Sequence, residues 1–120
     1  MIALSMSLGV GNGAAKTASG PLTPPTVAPV LIGESFGTGS FIAVLNWTAS
    51  DKTSSAGFGY DVYYSYLNES NFNLLTTVTD LSYNAEPGDG PGVYYFKITP
   101  KNSAGDGPAS NTASVTLPGI

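Results

Sequence analysis

Eight carboxylates are the side chains of this chain best equipped for chemistry, and two pairs stand close enough in sequence to work together: Asp51 with Asp61, and Glu86 with Asp89. Two carboxylates divide acid and base roles only when a pocket raises the pKa of one of them. Their oxygens also suit Ca2+, but "EPGDGPGV" (Glu86 to Val93) lacks the ligand spacing of an EF-hand. The chain has no His, no Cys and no Arg. That removes imidazole acid–base chemistry, thiol nucleophiles and guanidinium clamps. Acids flanked by Gly and Pro are ordinary solvated turn residues, so the sequence reads as non-enzymatic, with no metal or cofactor called for.

The charge balance narrows the partners. Four lysines (Lys16, Lys52, Lys97 and Lys101) face eight acids, for a net charge of −4. Without a basic stripe or any Arg for phosphates and base edges, nucleic acid is excluded. Charged residues make up 10% of the chain, well below the usual ~25%, which suits a protein seated in an assembly or outside a cell. No stretch approaches the ~20 apolar residues of a membrane helix. The first twenty residues lack a basic start, and Ser5, Ser7 and Gly9 interrupt their apolar run, so they do not read as a secretory signal. Asn46-Trp47-Thr48 and Asn68-Glu69-Ser70 match glycosylation sequons and, without such a signal, are read as chance.

The elements that must position these residues show period two throughout. Ile2, Leu4, Met6, Leu8 and Val10 alternate with Ala3, Ser5, Ser7 and Gly9, the pattern of a strand with one apolar and one small face. From Gly11 the composition turns to Gly, Ala, Ser, Thr and Pro, ending in "SGPLTPP". We therefore expect an arm and linker over residues 1–24 and one domain over residues 25–120. Strands are expected in Val27–Ile32, with Pro29 tolerable only on an edge, and in "SFIAVLNWTAS", with Phe41, Ala43, Leu45 and Trp47 on one face. Others are expected in "FGYDVYYSYL", "FNLLTTVTD", "LSYNA", "GVYYFKITP" and "ASVTLP". Seven strands with frequent turn signals and no helical period predict an antiparallel β-sandwich.

Three of these segments carry a resemblance. "LNWT" (Leu45 to Thr48), "GYDVYY" (Gly59 to Tyr64) and "PGVYYFKITPKNSAGDGPAS" (Pro91 to Ser110) resemble the B strand, the C strand and the F strand with its following loop in a fibronectin type III domain. Tyr94, Phe96, Ile98, Pro100, Asn102 and Gly105 match the last region in register, with Pro100 where the family usually has Ala. The resemblance covers Pro25 to Pro118 and implies an all-β, seven-stranded fibronectin-III/Ig-like sandwich preceded by the extended arm. It implies a core of Leu45, Trp47, Tyr60, Val62, Tyr94, Phe96 and Ile98, with Trp47 as the plug between the sheets and Tyr94 as a tyrosine corner bonding back to "EPGDGPG".

Tyr63, Tyr95 and Lys97 fall on the opposite face of neighbouring strands. They form either ordinary cross-strand pairs or, with Asn102 and Asp106 of the following loop, a surface displayed to a host-surface glycan or protein. The loop has no Arg-Gly-Asp triplet, so integrin-type adhesion is not implied. A lone alternating strand cannot bury its apolar side. Ile2, Leu4, Met6, Leu8 and Val10 therefore read as an anchor that adds to another chain's sheet edge, or folds back on the arm's own domain. By family association, fibronectin-like modules decorate bacteriophage capsids, necks and tails. The expectation is an oligomeric virion accessory protein that contacts other virion proteins through its arm. The alternative is a glycan-associated spacer of a secreted bacterial enzyme or surface protein.

Overall fold

The computed structural model describes residues 21–36 and 41–118. Eight strands follow in order: β1 (Leu31–Ser35), β2 (Ala43–Trp47), β3 (Gly59–Tyr66), β4 (Asn73–Val78), β5 (Ser82–Ala85), β6 (Gly92–Asn102), β7 (Gly105–Asp106) and β8 (Ala113–Leu117). Every pairing is antiparallel. The first sheet has the order β1-β2-β5. In the second, β4-β3-β6 continues into β7 at one end of β6 and β8 at the other. The eighth strand, beyond the seven expected, is the two-residue β7, which pairs Gly105 and Asp106 with Asn102 and Lys101 at the end of β6.

Period two sorts the side chains. Ala43, Leu45 and Trp47 of β2, Tyr60 and Val62 of β3, and Tyr94, Phe96 and Ile98 of β6 are all buried, meeting Leu31, Ala85, Val115 and Leu117 between the sheets. The Trp47 ring meets Tyr60 at an angle of 63° with centroids 5.8 Å apart, and Tyr60 meets Phe58 edge-on at 5.0 Å. The Trp47 indole N–H has no hydrogen-bond partner among the described residues, so its anchoring is by packing alone.

Two strand expectations need correction. Phe41 was expected on the core face, but β2 begins only at Ala43, and Phe41 is 37% exposed. Val27–Val30 form no ladder: the strand begins at Leu31, and Pro29, whose ring removes a donor, is buried beside it. Side chains replace most of the missing ladder, beside one backbone bond from the Thr48 N–H to the Val30 carbonyl at 3.1 Å. Asp51 accepts hydrogen bonds from the Thr26 N–H (2.7 Å), the Thr26 hydroxyl (2.6 Å) and the Val27 N–H (3.3 Å). Ser50 donates its hydroxyl to the Val27 carbonyl at 2.6 Å, and the Thr48 hydroxyl accepts from the Val30 N–H at 2.8 Å. The tie reaches two residues before the expected domain boundary, because Lys52 Nζ donates to Thr23 Oγ1 (2.7 Å) and to the Pro24 carbonyl (3.0 Å). Gly107 permits this path, since a Cβ there would stand 2.6 Å from the Pro25 carbonyl oxygen.

Tyrosines fix the β5–β6 turn. Tyr94 donates its hydroxyl to the Gly90 carbonyl at 2.5 Å, the bond of a tyrosine corner. Tyr66 donates to the Pro91 carbonyl at 2.6 Å, and the neighbouring Asp89 carboxylate, then burial, holds the Tyr64 hydroxyl above its ordinary pKa. Burial, followed by the charge of Asp89, pushes the Tyr94 hydroxyl above its ordinary pKa, so the donor keeps its proton. Replacing Tyr94 with Phe leaves the Gly90 carbonyl without this donor and is expected to cost about 1 kcal/mol. Trp47→Ala, which empties the centre of the core, is expected to cost about 3–5 kcal/mol. Urea unfolding of the two variants beside the parent checks both values and their order.

Candidate display face of the second sheet

The same alternation that buries Tyr60 and Val62 and half-buries Tyr64 sends Asp61, Tyr63 and Ser65 to the outer face of the second sheet. On β6, Tyr95, Lys97, Thr99 and Lys101 follow them there. Register then sets the neighbours: Tyr63 lies opposite Lys97, and Ser65 opposite Tyr95. Across the other edge of β3, Tyr63 lies opposite Leu74, which is 55% exposed. The β3–β4 connection folds over the face at Ser65, whose hydroxyl donates to Asn68 Oδ1 at 3.1 Å and accepts from the Asn71 N–H at 3.4 Å. This connection carries Phe72 to Lys97. The ammonium sits 4.6 Å from the Phe72 ring centroid and 5.7 Å from that of Tyr63, within cation–π range of both. Leu74, Tyr63, Lys97 and Phe72 therefore make one amphipathic patch, with Tyr95 beside it.

Toward the β7 end, charge is internally satisfied. Lys101 Nζ lies 3.1 Å from Asp61 Oδ1, and Thr77 donates its hydroxyl to the same oxygen at 2.5 Å. Burial first, then the negative charges of Asp61 and Asp106, raise the Tyr63 hydroxyl above its ordinary pKa. It remains a neutral hydrogen-bonding group.

The structure places the expected display residues unequally. Tyr63, Tyr95 and Lys97 share the outer face, and Asp106 is exposed on β7 opposite Lys101. Asn102 does not join them. Its place on β6 has the inward parity, so it is buried. Its amide donates to the Thr23 carbonyl (2.9 Å) and Ser55 Oγ (3.2 Å), and its oxygen accepts from the Ala104 N–H (2.9 Å). Asn102 is a structural tie between the lead-in and the β6–β7 turn. Leu74 went unnoticed in the sequence because a register shift opposite Val62 and Tyr63 breaks the simple alternation of β4, and Phe72 because it precedes β4, in the connection folded over Ser65. The arm residues Ile2, Leu4, Met6, Leu8 and Val10 lie outside the described residues.

The carboxylate pairs do not form acid–base sites. Asp51 is committed to Thr26 and Val27, and Asp61 to Lys101 and Thr77. Glu86 lines a shallow open cavity of about 510 Å3 with Phe41, Gly88, Gly90 and Pro91. Among the described residues no three His, Cys, Asp or Glu side chains gather as a metal site.

No protein-family model matches the chain, and no curated protein matches its sequence. Solved structures do match. The FN1–FN3 domains of chicken CNTN1 superpose with a TM-score of 0.64 at 27% identity, over 81% of this chain and 34% of that one. A Fn3-like protein from Clostridium thermocellum gives 0.60 at 20% identity, over 82% and 95%. The fibronectin type-III domain of human fibronectin type III domain containing protein 3 gives 0.57 at 24% identity, over 89% and 94%. The chain thus spans about a third of the CNTN1 fragment and nearly all of the two single-domain neighbours. The fold is an all-β, fibronectin-III/Ig-like sandwich, of a kind that generally serves as a non-catalytic structural or interaction module. These neighbours lend no support to a phage source.

The Asp51 hydrogen bonds make a pH prediction. The Thr26 hydroxyl and then the Thr26 N–H, assisted by Val27, lower its carboxyl from 3.8 to about 2. A carboxyl depressed by folding stabilises above its unfolded pKa and loses that contribution as pH falls through the folded one. Asp51→Asn is therefore expected to be less stable than the parent near neutral pH, with the gap closing between pH ~4 and ~2. Urea midpoints measured across that range check it, and a gap independent of pH would count against the assignment.

Proposed function

We propose that this protein is a non-enzymatic structural and interaction module that presents the outer face of its second sheet to a partner and is held in place by its N-terminal arm. The observation that carries the reading is the patch of Tyr63, Phe72, Leu74 and Lys97 on that face. Rigid aromatic rings with a cation between them offer large contact area at low entropy cost, and both glycans and protein surfaces use such area. The assembly we assign is a virion, with the arm residues Ile2, Leu4, Met6, Leu8 and Val10 binding other virion proteins and the sandwich displayed outward. The family resemblance and the weakly charged composition support that assignment.

A second reading, a spacer in a secreted bacterial protein, is favoured by the path of the chain. Thr23 and Pro24 enter beside Asn102, Lys52 and Gly105, whereas Leu117 leaves opposite Gly92 at the far end of β6. Domains strung through such modules are held a sandwich length apart.

Binding of labelled protein to purified particles from the source, and to a glycan panel, tests these readings. Leu4→Lys/Leu8→Lys is expected to abolish particle binding with the fold intact. Tyr63→Ala, in contrast, is expected to leave particle binding unchanged and to weaken capture of the displayed partner at least tenfold, the loss of one aromatic hot spot. Particle binding that survives the arm substitutions would defeat the anchoring role.

A further inference from the structure

A sheet edge offers unpaired N–H and C=O groups to any passing strand, and proteins blunt such edges with short strands, Pro, charge or a covering side chain. Three edges of this sandwich are blunted. On β1, the Asn111 side-chain oxygen accepts from the Leu31 N–H at 2.8 Å and its amide donates to the Leu31 carbonyl at 2.9 Å, copying the two bonds of a neighbouring strand. β5 is four residues long and runs directly into Glu86 and Pro87. The edge beyond β6 is split into β7 and β8 by the segment that holds Pro108.

β4 differs. It ends the second sheet, and among the described residues no strand pairs with its outer side. Residues 71–79, "NFNLLTTVT", contain neither a charge nor a proline, and the one irregularity is the register shift opposite Val62 and Tyr63.

We propose that the outer edge of β4 receives the segment Ile2–Val10 of a second copy of this chain as an added antiparallel strand, an inference that rests on the reading of the arm as an anchoring strand. Twenty residues precede Pro21, the first charge among them is Lys16, and the segment from Ile2 to Val10 is uncharged. Pairing it with the uncharged β4 takes no charge out of water. Its apolar row extends the core beside the half-buried Leu75 and Val78, and its small row of Ala3, Ser5, Ser7 and Gly9 faces outward beside Leu74.

Direction selects a second copy over the chain's own arm. Thr23 and Pro24 are tied at the β7 end of the sandwich, where the ladder also places Val78. An arm tethered there reaches β4 most directly with Val10 near Val78 and Ile2 near Asn73, which is parallel to β4. Every pair in the second sheet is antiparallel, the more stable arrangement per residue. The arm of another copy enters in that direction without a tether to cross the sandwich.

The test uses full-length protein, in which the absence of native cysteine makes disulfide trapping clean. By sedimentation equilibrium the parent is expected to rise with concentration from the 12.2 kDa of one chain to at least twice that mass. Leu4→Lys/Leu8→Lys and, separately, Leu74→Lys are expected to remain at one chain. Mixing S5C or S7C protein with L74C protein under mild oxidation is expected to give a mixed disulfide several-fold more abundant than mixing with I32C, a control at an exposed position of the first sheet. A parent that stays at one chain throughout, or a Leu74→Lys protein that associates like the parent with no preference for L74C over I32C, overturns the proposal. Where the parent stays at one chain yet still binds source particles through its arm, the anchoring reading stands and only self-pairing fails. Loss of both removes both.

Discussion

The register of β3 against β6 is the constraint on which the rest of this structure depends. Eight consecutive pairs run from Gly59 opposite Lys101 to Tyr66 opposite Tyr94. A slip of β6 by one residue would turn Phe96 and Ile98 out to solvent and drive Lys97 and Lys101 into the core, and a slip of β3 would do the same with Tyr60, Val62 and Asp61. The cost of burying unpaired charge thus adds to the loss of apolar burial, and both act in the same direction. One ladder sets the packing of the interior and the placement of Tyr63 against Lys97 on the exterior, so fold and display face are the same decision.

The hydroxyls of Tyr64, Tyr66 and Tyr94 act at one end of that ladder, where strand pairing gives way to the Glu86–Pro91 turn. Their rings belong to the aromatic row between the sheets, with Tyr66 and Tyr94 centroids 4.8 Å apart and Tyr94 and Phe96 at 6.3 Å. Their tips reach Pro91, Gly90 and Asp89. A Gly-rich turn is entropically expensive to order, and here its conformation is dictated by donors anchored in the core. The opposite end uses shorter polar side chains to the same effect, with Asp51, Lys52 and Asn102 tying the lead-in that carries the arm.

Much of this was legible in the sequence, and the failures have physical causes. Alternation located β2, β3, β6 and β8 and their buried residues, because each has one face in the core and one outside it. It failed at Val27–Val30, which forms no ladder and whose hydrogen bonds go mostly to side chains, a distinction hydropathy does not carry. It also misplaced Asn102. Polar residues in a Gly-rich loop read as exposed, but parity counted from Tyr94 through Phe96, Ile98 and Pro100 points Asn102 inward, and its three hydrogen bonds offset the burial. Phe72 was hidden for a different reason: it reaches Lys97 through a turn folded over Ser65, a contact that depends on tertiary path rather than on period.

The distribution of polar groups supports the proposed binding role more than any missing residue type does. Catalytic groups are held with part of their hydrogen-bonding or charge capacity directed at a space where substrate sits. Here Asp51, Asp61, Asn102 and Asn111 each direct theirs at this chain's own backbone or side chains. Around Tyr63 the groups left facing solvent are rings, the aliphatic carbons of Leu74 and the Lys97 ammonium lying over two of those rings. Such groups release free energy by losing water to another surface, as the proposed binding role requires, and they stand next to β4, an edge that among the described residues has no charge and no proline and whose ladder holds one register shift. A partner that covers the face and a strand that extends the sheet would therefore meet along Leu74.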